Sequence, residues 1–171
     1  IWTNGRESCG NGVDDDGNGF VDDCRGWDFG ANDSDPRPES GTSSGAHGAH
    51  VAGLIGAPRN GAGIAGIAPQ AKLMALKVAM PGGQLSTSAI YSAIVYAVDN
   101  GAQVINLSLG GPRNSQILQK AIDHAVARGV VVVAAAIWRR LIHRSRRDAV
   151  GTPSGGALLA LGLLLGPITL V

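Results

Sequence analysis

Three groups of residues have types and spacings suited to chemistry. His47 and His50 stand three apart at the head of a small, apolar stretch, AHGAHVAGLIGA (46–57). A histidine beside glycine at a helix start serves as a general base, a metal ligand or a packed ring. Neither an H-E-x-x-H pattern nor a nearby third ligand accompanies this pair, which disfavours the metal. Ahead of it, DDDGNGFVDD (14–23) sets Asp14, Asp16 and Asn18 at alternate positions, followed by Gly19 and by Phe20, whose carbonyl offers a further oxygen. Alternating oxygen donors that end in a sharp glycine turn suit Ca²⁺, with Asp22 and Asp23 as the late carboxylates. The twelfth position of an EF-hand loop falls on Arg25 instead of Glu, and the flanks lack helical periodicity, so no EF-hand helix pair is expected. Five Asp within ten residues repel one another unless a cation sits among them. Cys9 and Cys24 bracket this loop. A bridge closing about fifteen residues adds roughly 3 kcal/mol in the chain-entropy model if the compartment is oxidising, whereas two thiols without a nearby His make zinc the weaker reading.

These groups need a scaffold, and the chain alternates in kind to supply one. Residues 1–46 are rich in Gly, Asp, Asn, Ser and Pro, with turn pairs at Asn4-Gly5, Asn11-Gly12 and Asp16-Gly17, and read as a long loop region. Residues 72–79 (KLMALKVA), 104–109 (VINLSL) and 130–136 (VVVVAAA) are short apolar strand candidates. Between them, Ser86 or Ser88 heads a helix whose Ala89, Ile90, Ala93, Ile94, Ala97 and Val98 recur at helical spacing up to Asn100-Gly101. Asn114 or Ser115 heads another, carrying Ile117, Leu118, Ala121, Ile122, Ala125 and Val126 and stopping at Gly129. Strands apolar on both faces and separated by amphipathic helices predict an α/β fold with a parallel sheet and flanking helices. Ligands in such sheets sit beyond the carboxyl ends of the strands, which points to residues 80–84, 110–114 and those after Ala136. The formal net charge of +1 excludes a dedicated nucleic-acid binder.

The stretch HGAHVAG (47–53) resembles the histidine motif of the subtilisin-like serine proteases, H-G-T-H-V-A-G, with Ala49 in place of Thr. Residues 10–29 and 32–36 resemble the segment that precedes this histidine in one branch of the family. GIAGIAPQAKLMALKV (63–78), GAQVINLSLGG (101–111) and RGVVVVAAA (128–136) match later landmarks in order. The resemblance implies a secreted serine endopeptidase with His47 as general base, taking a proton from a Ser hydroxyl that attacks the peptide carbonyl. His50 is then a structural helix residue. An extended peptide or protein substrate would pair with the backbone of Ser108, Leu109 and Gly110 on one side and of Gly82, Gly83 and Gln84 on the other.

The family's nucleophile segment, of Gly-Thr-Ser-Met-Ala type, is not found. GTPS (151–154) differs by Pro153, and Ser154 reads as a loop residue. The strand of Asp-Thr-Gly type that carries the catalytic Asp belongs before the acidic loop, and the Gly-Asn that donates to the oxyanion is replaced after Ala136 by Ile137 and Trp138. This chain alone is therefore not expected to hydrolyse peptides. Resemblance stops at Ala136, where the charge also changes: residues 1–136 hold nine basic and twelve acidic residues, residues 137–171 five basic and one acidic. Residues 1–136 are read as a partial peptidase domain (1–46 acidic loop region, 47–136 α/β part), and 137–171 as a basic, then apolar tail foreign to it, as a shift of reading frame near codon 136 would produce. The apolar run 157–171 contains Pro167 and is shorter than the roughly 20 residues a spanning helix needs, so a membrane anchor is not expected.

Overall fold

A computed structural model describes residues 1–39, 43–110, 115–135 and 167–170. The elements run β1 (Gly26–Asp28), α1 (Ser43–Gly56), β2 (Lys72–Lys77), α2 (Thr87–Asp99), β3 (Val104–Leu107), α3 (Gln116–Ala127), β4 (Val131–Ala134) and β5 (Pro167–Leu170). The five strands form one sheet in the order β1-β2-β5-β3-β4, with every pairing parallel. The α/β class is thus as expected, with the predicted strands a residue or more shorter at their ends.

Capping resolves both open helix starts. The Ser86 hydroxyl accepts from the Ala89 amide and the Ser115 hydroxyl from the Leu118 amide, each satisfying one of the donors that a first turn leaves over. The apolar stripe of α2 is buried as its spacing requires, and Tyr96 joins it. On α3, Leu118, Ala121, Ile122 and Ala125 are buried, but Ile117 lies outside the contact and is half exposed. The two stripes meet Met74, Leu76, Ile105, Leu107 and Val132 in one core.

Strand β2 is covered on both faces. Met74 and Leu76 enter the α2/α3 core, and Leu73, pointing the other way by the alternation of a strand, packs at Gly56 of α1. Strand β4 departs from the expectation of burial on both faces: Val132 is buried, whereas Val131 and Val133 are 45% and 49% exposed. Helix α3 packs against β4, and Val131 and Val133 stay half exposed on the face turned away from it.

Two strands have no counterpart in the periodicity. β1 is three residues long and begins on a glycine with φ of +119°; a Cβ on Gly26 would stand 1.8 Å from the Ala75 carbonyl oxygen, so only glycine lets β1 approach β2. β5 comes from the apolar tail. It pairs with β2 from Lys72↔Pro167 to Ala75↔Leu170 and with β3 from Val104↔Ile168 to Asn106↔Leu170. Part of the region expected to be foreign to the domain therefore lies at the centre of the sheet.

Candidate active site

The start of α1 and the backbone runs that follow β2 and β3 meet at one end of the sheet. His47 lies early in α1 with its ring exposed, and its Nε2 is 2.6 Å from the Ser108 carbonyl oxygen just past β3. A carbonyl only accepts, so Nε2 carries a hydrogen in this contact. The Ser108 hydroxyl accepts from Asn106 Nδ2 at 2.8 Å. Residues 75–80 and Ser108, Leu109 and Gly110 line opposite walls of an open cleft of about 640 Å³, with His47 and Gly83 on its boundary. The cleft lies at the carboxyl ends of the strands, as a parallel sheet dictates. Gly82 and Gly83, at φ of +90° and +83°, form a turn in which the Met80 amide donates to the Gln84 carbonyl and the Gly83 amide to the Met80 carbonyl. The structure brings together His47, Ser108, Leu109, Gly110 and Gly83. His50 is exposed on α1. Residues 111–114, those from 136 to 166 and with them Ser154 lie outside the described residues.

A charged group at the cleft wall escaped the spacing. Lys77 Nζ is 2.6 Å from Asp28 Oδ2, which is almost fully buried, and 3.1 Å from Glu39 Oε1. Burial lowers the Lys77 pKa, but the hydrogen bonds and charges of Asp28 and Glu39 outweigh it and hold the ammonium above the ordinary lysine range. The other oxygen of Asp28 accepts from the amides of Gly30 and Ala31, so one carboxylate fixes both the ammonium and the turn leaving β1. The available signal was a lysine within an otherwise apolar strand, which demands a carboxylate partner when half-buried.

The acidic loop is organised by its own amides. Asp14 accepts from the amides of Asn18 and Gly19, and Asp16 from that of Asn18. Asp22, itself at φ +56°, accepts from the amides of Gly10, Asn11 and Gly12. Asp23 is fully buried; its carboxylate receives Asn4 Nδ2, Asn18 Nδ2 and the Tyr96 hydroxyl. The Phe20 ring packs edge-on against Trp27, Phe29 and Tyr96. Of the expected oxygen donors, Asp14 and Asp16 converge, and their third partner is Glu7; one oxygen of each lies within 4.8 Å of the others. Asp22 and Asp23 are directed to amides and to the core instead. Glu7 Oε1 also accepts the amides of Asp15 and Asp16 and Oε2 that of Asp22, which is why a residue seven positions before the Asp run belongs to the cluster. Arg6 Nε lies 3.1 Å from Asp16 Oδ2 and supplies one positive charge. Three hard oxygen donors in this proximity fit a cation of the Ca²⁺ type. The structure joins Cys9 to Cys24, closing the loop.

This arrangement, a histidine on a helix start facing the residues after β3, can be set against known proteins. The subtilase family model matches residues 11–139. The chain belongs to the subtilase family. It is 50% identical over 95 residues to subtilisin DY from Bacillus licheniformis, covering 56% of this chain and 35% of that protein. It is 46% identical over 112 residues to thermitase from Thermoactinomyces vulgaris, covering 65% and 38% respectively. The crystal structure of fervidolysin from Fervidobacterium pennivorans, a keratinolytic enzyme related to subtilisin, superposes with a TM-score of 0.52 at 32% identity, covering 64% of this chain and 17% of that one. This subtilase chain thus spans little more than a third of the length of these curated relatives. No helix among the described residues is long and apolar enough to cross a membrane.

Proposed function

We propose that this subtilase chain is the histidine-bearing part of a secreted serine endopeptidase domain. The observation that carries the reading is His47 Nε2 at 2.6 Å from the Ser108 carbonyl, at the mouth of the cleft between residues 75–80 and 108–110. His47 acts as general base toward a serine hydroxyl and later returns the proton to the leaving amine. In the contact with the Ser108 carbonyl Nε2 is the donor, so accepting a serine proton there requires release of that contact and transfer of the ring hydrogen to Nδ1. The substrate lies extended, its main chain paired with Ser108, Leu109 and Gly110 and, on the opposite side, with Gly82 and Gly83. Glu7, Asp14 and Asp16 hold Ca²⁺, which draws the acidic loop together by offsetting carboxylate repulsion. The Cys9–Cys24 bridge accords with an oxidising, extracytoplasmic setting.

The 171-residue chain lacks the Gly-Thr-Ser-Met-Ala-type nucleophile segment, so by itself it forms no acyl-enzyme and holds peptide without cleaving it. A serine-directed fluorophosphonate probe tests both parts. The chain stays unlabelled, whereas a form of the gene product that carries the nucleophile is labelled in a manner dependent on His47. Equal labelling of that form and its His47→Ala variant removes the general-base assignment. Labelling of the 171-residue chain removes the claim that it lacks a nucleophile.

A further inference from the structure

Five of the eight asparagines of this chain precede glycine: Asn4, Asn11, Asn18, Asn60 and Asn100. Such a pair is chemically labile, because glycine has no side chain to shield its amide nitrogen from the asparagine side-chain carbonyl carbon. At four of the five, the side chain is already turned toward the backbone that follows. The Oδ1 atoms of Asn4, Asn11, Asn18 and Asn60 accept from the amides of Arg6, Val13, Phe20 and Ala62, each two residues on. That hydrogen bond also polarises the carbonyl open to attack.

The two nitrogens of the reaction, the side-chain amide that leaves and the glycine amide that attacks, separate these sites. In the acidic loop, carboxylates hold them. Asn4 Nδ2 donates to Asp16 and Asp23, Asn11 Nδ2 to Asp15 and Asn18 Nδ2 to Asp23. The Gly12 amide donates to Asp22 and the Gly19 amide to Asp14. Asn100 is pinned by Arg6 Nη2 on its Oδ1 and by the Tyr96 carbonyl on its Nδ2, and the Gly101 amide donates to the Val98 carbonyl. Asn60 is exposed in the loop between α1 and β2, and among the described residues neither its Nδ2 nor the Gly61 amide has a partner. The loop has room to rearrange: Gly61 and Gly63 sit at φ of +79° and +65° with open space around them. Its base is closed by the amides of Gly66, Ile67 and Ala68 on the carbonyls of Ala57, Leu54 and Ile55, which isolates the tip from the histidine helix.

We infer that Asn60 is a self-modification site, at which the folded chain converts asparagine to aspartate and isoaspartate. The Gly61 amide nitrogen bonds to Asn60 Cγ, the Cγ–Nδ2 bond breaks, and ammonia leaves with the Gly61 amide proton, closing a cyclic imide. Water then opens the ring at either carbonyl. Breaking the new bond to Cγ gives aspartate; breaking the original peptide bond gives isoaspartate, in which the main chain runs through Cβ. No oxidant or reductant is needed. The product places a negative charge next to Arg59 and takes the formal net charge of the chain from +1 to zero. The carboxylates of the acidic loop play the opposite part, holding three Asn-Gly pairs of the same turn geometry intact.

The test is incubation of the full chain in heavy-oxygen water at mildly alkaline pH, followed by peptide mapping with mass spectrometry and by labelling with an isoaspartyl methyltransferase. Heavy oxygen and the methyl label enter at Asn60 roughly tenfold or more faster than at Asn4, Asn11, Asn18 or Asn100, because at those four a hydrogen bond must break first. Reduction of the Cys9–Cys24 bridge and unfolding in urea abolish the ranking and bring the other four up to the rate of Asn60. Equal or faster conversion at any of the four in the folded chain overturns the inference. A ranking that persists in urea overturns it as well, since flanking sequence and not the fold would then set the rates.

Discussion

Replacing Tyr96 by Phe removes one hydroxyl from the buried junction between α2 and the acidic loop. The Tyr96 hydroxyl donates to Asp23 Oδ2 at 2.5 Å; Tyr96 is 3% and Asp23 0% exposed. A hydrogen bond to a charged acceptor contributes about 1.5–3 kcal/mol. Asp23 keeps Asn4 Nδ2 at 2.7 Å and Asn18 Nδ2 at 2.8 Å, so the carboxylate is not orphaned and the loss stays near the middle of that range. At about 2 kcal/mol, a chain of this size loses roughly 4–8 °C in Tm. The substitution also has a pH signature. Burial, and then the hydrogen bond to Asp23, push the Tyr96 phenol well above its ordinary value of 10.0. A group whose folded pKa is raised gives stability that is complete below its unfolded pKa and lost as pH rises above it. Wild-type stability therefore falls above about pH 10, and Tyr96→Phe flattens that fall while lowering the plateau at neutral pH. Urea denaturation followed by circular dichroism from pH 7 to about 11 measures both. A Tm loss under about 1 °C together with an unaltered alkaline slope would refute the claim that this hydroxyl ties the loop to the core.

Three further outcomes follow from the same geometry. Gly26→Ala drives a Cβ into the Ala75 carbonyl at a positive φ and detaches β1 from β2, lowering Tm by several degrees, whereas Gly48→Ala, with open space around it, costs little by the same melt. Millimolar Ca²⁺ raises Tm, by about 2.7 kcal/mol of stabilisation at a hundredfold excess over Kd, and Glu7→Gln reduces that gain in a calorimetric scan; an equal gain in the variant places the ion elsewhere. Lys77→Met removes a cation whose raised pKa gives stability below its ordinary value of 10.5 and loses it above, so the variant is destabilised at pH 7 and differs less from wild type as the pH climbs; a difference independent of pH would show that the ammonium charge is not what matters.

Much of the frame was legible from local rules. α2 and α3 were readable because a 3.6-residue apolar stripe and a serine cap are properties of a single segment, and Ser86 and Ser115 hold their predicted positions. The Cys9–Cys24 bridge closes the loop those residues bracket. β1 was not legible, since three residues beginning with glycine have no periodicity; its place is set by the close approach to Ala75. The half exposure of Val131 and Val133 was not legible, because an apolar run records what a strand tolerates and not how many helices cover it.

The sequence by itself determined the alternating α/β order, the histidine motif with the serine-leucine-glycine run at the end of the second strand candidate, and an acidic loop bracketed by two cysteines. Each of these is written in contiguous residues. Only the tertiary structure decided which distant groups meet: His47 with the Ser108 carbonyl, 61 positions apart, Lys77 with Asp28, and Asp23 with Tyr96. It likewise turned Asp22 and Asp23 toward amides and the core and brought Glu7 to Asp14 and Asp16. Most decisively, it set a strand from the tail between β2 and β3. An edge accepts any chain able to present its backbone in register, so which segment fills a sheet position follows from three-dimensional vacancy and not from local pattern.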